Sequence, residues 1–81
     1  MIKEIGVEYF ALFFQERGVR SETLTTNANT VAELFCELKA KHRFKLSQES
    51  VKVALNAKVV CMDHKIKSGD KVLLIPPIAG G

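Results

Sequence analysis

The chain has no tryptophan, one tyrosine, two prolines and two cysteines among its 81 residues. Each shortage removes a class of protein. Two cysteines are too few for a disulfide scaffold, and Cys36 and Cys61 read as free thiols in a reducing cytosol, with one bridge between them as the alternative. Neither a Cys-x-x-Cys nor a His-x-x-x-His spacing occurs, so no metal site is expected. The longest apolar run, Tyr9 to Phe14, is far too short to cross a bilayer, and the opening Met-Ile-Lys-Glu-Ile-Gly lacks a signal-peptide pattern. The expectation is a cytoplasmic protein with no membrane partner. No glycine-rich phosphate loop is present. Asp63-His64 has no nucleophile beside it, so the pair reads as a turn rather than an acid–base couple.

What is present fits one small globular domain: 47% hydrophobic residues, 26% charged residues and a net charge of +3. The densest basic cluster, Lys39, Lys41, His42, Arg43 and Lys45, falls where a helix should end, and cations there offset the helix dipole. The aromatic residues follow core spacing instead of interleaving with those cations, so nucleic acid is not an expected partner.

Residues 5 to 14 read as a first strand, with Val7, Tyr9, Ala11 and Phe13 on one face and Glu8, Phe10, Leu12 and Phe14 on the other. A strand apolar on both faces belongs in the middle of a sheet, and Val72 to Ile75 share that character. First and last strands are therefore expected side by side and parallel. Ser21 to Thr26 reads as a polar edge strand. Thr30 with Glu33 forms a capping box for a helix whose stripe is Val31, Leu34, Phe35 and Leu38, ending near His42. Val51 to Leu55 alternates as a third strand, Asn56-Ala57-Lys58 turns it into a short strand over Val59 to Cys61, and Ile66 reads as a buried anchor between turns. One helix covers one face of such a sheet. The apolar residues left on the other face mark a site for a protein partner.

The sequence ends Ile75-Pro-Pro-Ile-Ala-Gly-Gly81. Pro76 and Pro77 cannot donate to a sheet ladder, so the chain divides into a domain over 1–75 and an extended tail over 76–81. The final glycines, lacking a Cβ, suit a narrow channel. With no catalytic set elsewhere, the reactive group is the terminal carboxylate, ionised at neutral pH and therefore in need of activation before it can accept sulfur or an amine.

Tyr9-Phe10-Ala11, Thr30-Val-Ala-Glu-Leu34, Ala54-Leu55-Asn56, Asp63-His64, Gly69-Asp70 and the double-proline tail resemble the small subunits of molybdopterin synthase, sulfur carriers with a ubiquitin-like β-grasp fold. The resemblance implies an α+β architecture: a mixed sheet, central parallel first and last strands, and one main covering helix. It implies that an adenylating enzyme activates the carboxylate of Gly81 with ATP. A sulfur donor such as a cysteine desulfurase or rhodanese then converts it to a thiocarboxylate. Pro76, Pro77, Ile78, Ala79 and Gly80 would thread into the large synthase subunit, which supplies the catalytic residues and receives the sulfur on a pyranopterin precursor. This chain would thus be a sulfur-donating, non-catalytic subunit holding no permanent cofactor, within a heterotetramer. By matching position, Phe10, Val59 and Ile75 would form the partner interface. Lys71 stands where the family pattern has an acid. The competing expectations are a carrier for tRNA thiolation or thiamine, a ubiquitin-like modifier conjugated to lysines, and a plain interaction domain.

Overall fold

A computed structural model describes residues 2–76, without the side chain of Leu12. The elements run β1 (Lys3–Tyr9), α1 (Leu12–Arg17), β2 (Ser21–Thr26), α2 (Val31–His42), a 3-10 turn (Gln48–Ser50), β3 (Lys52–Leu55), β4 (Lys58–Val60) and β5 (Lys71–Ile75). The five strands form one sheet in the order β2-β1-β5-β3-β4. β1 and β5 lie side by side at its centre and run parallel, with Val7 opposite Val72 and Tyr9 opposite Leu74. The other neighbours are antiparallel. This is the expected α+β, ubiquitin-like β-grasp, with α2 as the main covering helix.

The capping box forms. Thr30 Oγ1 accepts the Glu33 amide at 3.2 Å, while the Glu33 carboxylate reaches back to the Asn29 amide at 2.7 Å. At the other end, Arg43 adopts the left-handed conformation with its amide bonded to the Lys39 carbonyl, and the Lys39 ammonium donates to the carbonyls of Phe44 and Leu46. The basic cluster thus includes a cation that satisfies carbonyls just beyond the end of α2. Val31, Leu34, Phe35 and Leu38 are buried against Ile5, Val7, Tyr9, Val53, Val72 and Leu74, and Ile66 joins this core.

The first strand departs from expectation. It ends at Tyr9, and residues 12 to 17 turn into α1 instead of continuing the sheet. Ala11, at φ 50° and ψ −118°, breaks the extended path, and Gly18 closes α1 at φ 87°. The reversal lets Phe13 leave the sheet and pack edge-on against Phe35 and Phe44, at centroid distances of 6.0 and 5.0 Å. Burial of Phe13 in that aromatic cluster favours the reversal. Phe14, on the outer side of α1, is exposed beneath the Arg20 guanidinium, 5.2 Å from its ring centre.

Candidate functional site

The sheet face opposite α2 carries the candidate site. The ladder registers align Val59, Ala54, Leu73 and Glu8 in one row across β4, β3, β5 and β1, and Ser21 of β2 completes it. Three of these five positions are apolar. Val59 is 69% exposed, whereas Ala54 is buried, although it does not join the main core cluster. The next row pairs Ile75 with Lys52. Phe10 follows the last residue of β1, and continuing the parallel register puts it level with Ile75; Phe10 is exposed and Ile75 half-buried. Toward the other end the face becomes polar, with Gly6 between Lys71 and Thr23 and the Lys71 ammonium 3.4 Å from the Glu8 carboxylate.

Phe10, Val59 and Ile75 therefore share the side of the sheet where apolar surface is left uncovered. Phe14, also exposed, comes from the α1 segment that periodicity had read as strand, and Val19, exposed as well, lies in the link between α1 and β2. The signal that could have found this reversal is Gly18, placed after Leu12–Arg17 as a helix C-terminal glycine.

The site's direction is set by β5. Its residues leave the sheet at Ile75 and Pro76, between β1 and β3 and at the apolar end of the open face. Pro77, Ile78, Ala79, Gly80 and Gly81, the expected inserting and reacting residues, lie outside the described residues.

The start of β5 is anchored elaborately. Asp70 is buried, and its two carboxylate oxygens accept the Asn56 side-chain amide and the Lys67 backbone amide, each at 2.9 Å. The Asn56 side-chain oxygen in turn accepts the Lys71 amide at 3.0 Å. A second polar cluster ties β1, α1 and β2 together. The Tyr9 hydroxyl donates to Glu22 at 2.5 Å, and Arg17 grips the same carboxylate with Nε and Nη2 at 3.0 and 2.7 Å. Arginine pairing holds the Glu22 carboxyl down at about 2. Burial, then the hydrogen bond to Glu22, pushes the Tyr9 hydroxyl above its ordinary value. His42, 3.8 Å from Glu22, is lowered by burial and by the Arg17 charge.

Among the described residues no three His, Cys, Asp or Glu side chains are grouped to hold a metal ion, and no helix is long and apolar enough to cross a membrane. Cys36 and Cys61 are free and exposed.

A protein of Pyrococcus furiosus assigned as molybdopterin converting factor, subunit 1, is similar over 94% of this chain and 99% of its own, at 29% identity and a TM-score of 0.77. A complex of subunits 1 and 2 of the molybdopterin-converting factor from Helicobacter pylori contains a chain 28% identical, with 96% and 99% covered and a TM-score of 0.65. The small archaeal modifier protein 1 of Methanosarcina acetivorans shares the fold, at a TM-score of 0.80, 17% identity and coverage of 100% and 99%. No curated protein matches the sequence. The model of the ThiS family matches residues 7–81, nearly the whole chain, and the protein belongs to the ThiS family.

Proposed function

We propose that this ThiS-type, ubiquitin-like sulfur carrier is the small subunit of a molybdopterin synthase. The observation that carries the reading is the exit of β5: the central strand runs out at Ile75 and Pro76 beside a partly apolar face that none of the described elements covers. A partner seated on that face receives the tail directly. The choice of pathway is supported by the two structural neighbours of molybdopterin-converting type, one of them held in a complex with its second subunit.

In this reading the Gly81 carboxylate attacks the α-phosphorus of ATP on an adenylating enzyme and pyrophosphate leaves. A donor sulfur, from a persulfide-bearing desulfurase or rhodanese, attacks the acyl carbon and AMP leaves. A second thiol then attacks the donor cysteine's sulfur in the resulting acyl disulfide, breaking the S–S bond, so that the thiocarboxylate leaves and the two thiols end as a disulfide. The tail, Pro76 to Gly80, then delivers this sulfur inside the large subunit to a pyranopterin precursor. Phe10, Val59 and Ile75 supply apolar contact, and the large subunit supplies acid–base chemistry. The assembly would be a cytoplasmic heterotetramer.

Intact mass after incubation with ATP, an adenylating enzyme and a sulfur source tests the carrier step. Exchange of one oxygen for sulfur, mapped to Gly81 and absent when Gly81 is deleted, is the expected result. A deletion variant that still supports molybdopterin formation overturns it. The rival role as a lysine-conjugated modifier, which the shared fold of the small archaeal modifier protein 1 brings into view, would instead leave isopeptide adducts on other proteins.

A further inference from the structure

At the opposite end of β5 from the tail, the β3–β4 hairpin and the 64–70 loop border an open cleft of about 450 Å³. That volume lies in the range of sites for small molecules. Leu55, Val60 and Ile66 give it an apolar wall, and Lys58, His64, Lys65 and Lys67 stand around it. Asp70 also lines the cleft, but the Asn56 and Lys67 amides occupy both of its oxygens, so it is tied into the fold. Among the described residues none of the three lysines is in an ion pair. His64 Nδ1 lies 2.8 Å from the Lys65 carbonyl, which only accepts, so Nδ1 carries the proton and Nε2 remains without a partner. The docking face and the tail account for none of these cations.

We propose that this cleft binds a small phosphate-bearing anion of about the size of a nucleoside diphosphate. Three lysines supply point charges that can meet several oxygens of a phosphate from different directions, and a multiply charged phosphate balances them better than a single carboxylate does. The apolar wall suits a ring or short chain attached to the phosphate. β5 separates the cleft from the tail by its five residues, roughly 16 Å at about 3.3 Å per residue, so both can be occupied together. The inference does not rest on which pathway the carrier serves.

Amide NMR titrations of the whole chain with pyrophosphate, ADP and adenosine test it. Pyrophosphate and ADP are expected to shift the resonances of Lys58, His64, Lys65 and Lys67. Tighter binding of ADP would assign the apolar wall to the base, and equal affinity would assign recognition to phosphate alone. Lys58→Glu with Lys67→Glu, both at exposed positions, should weaken binding by about tenfold. Lys41→Glu with Lys45→Glu, which changes net charge equally, should weaken it by less than about twofold. Equal loss in the two double variants, or shifts centred on residues 39–45, would reduce the effect to general charge attraction and overturn the proposal. So would adenosine binding with pyrophosphate silent.

Discussion

The side-chain amide of Asn56 bridges Asp70 and the backbone of Lys71, so the turn after β3 holds the first residue of β5. The Asn56 backbone N–H also donates to the Lys71 carbonyl at 2.8 Å. Asn56→Ala removes one donor from a buried carboxylate and leaves it partly unsatisfied. A loss of about 1–3 kcal/mol in urea unfolding is expected, with the tail chemistry intact in the fraction that remains folded.

The same turn carries a strained residue. Ala57 sits at φ 75°, after Asn56 at φ 52°, the backbone of a hairpin turn in which glycine usually takes the second position. Ala57→Gly relieves the Cβ clash. Its expected effect is a stabilisation of about 0.5–1 kcal/mol, measured as a rise in the denaturation midpoint without a change in slope. An unchanged or lowered midpoint would contradict the strain.

Acid should unfold the protein in two stages. His42 titrates below its ordinary value, so the unfolded chain binds its proton first and stability declines as pH falls below about 6.5. Glu22, ordinarily at 4.5, is held at about 2, so its contribution is present above 4.5 and lost as pH falls toward 2. Tyr9→Phe removes one of the hydrogen bonds that hold the Glu22 carboxylate. The variant should be less stable near neutrality by about 1–2 kcal/mol and should show a shallower loss between pH 4.5 and 2. Stability curves from pH 7 to 2 for both proteins check this.

Val59 is the most exposed member of the apolar row, so a charge there should damage docking and spare the fold. Val59→Asp is expected to weaken association with a molybdopterin synthase large subunit, the partner proposed above, by at least about tenfold while the melting temperature moves little. Calorimetric titration against that subunit and thermal unfolding of the isolated variant give the two readings.

Much of this architecture was legible. Alternation placed Val7 and Tyr9 on the covered side, the two-sided apolar character of Val72 to Ile75 put the last strand beside the first, and Thr30 with Glu33 marked the start of α2. These are local patterns whose period survives folding. The stretch from Phe10 to Arg17 was not legible, because a run of apolar residues has no period that separates strand from helix. What decides its course is Phe13 finding Phe35 and Phe44, partners distant in sequence. The Tyr9–Glu22–Arg17 cluster escaped notice for the same reason: it exists only once α1 folds back toward β2. The cleft lysines, scattered over residues 58 to 67, showed no motif. The hairpin and the following loop bring them together.

The parallel pairing of β1 with β5 also bears on how the domain answers force. An enzyme that grips the tail pulls β5 along its own axis, away from the start of β1. Those two strands then slide past one another in shear, and their ladder bonds resist as a group rather than opening one at a time. In the role proposed above, the end of the carrier is drawn into one active site after another, and this pairing makes the domain stiff along the direction of that pull.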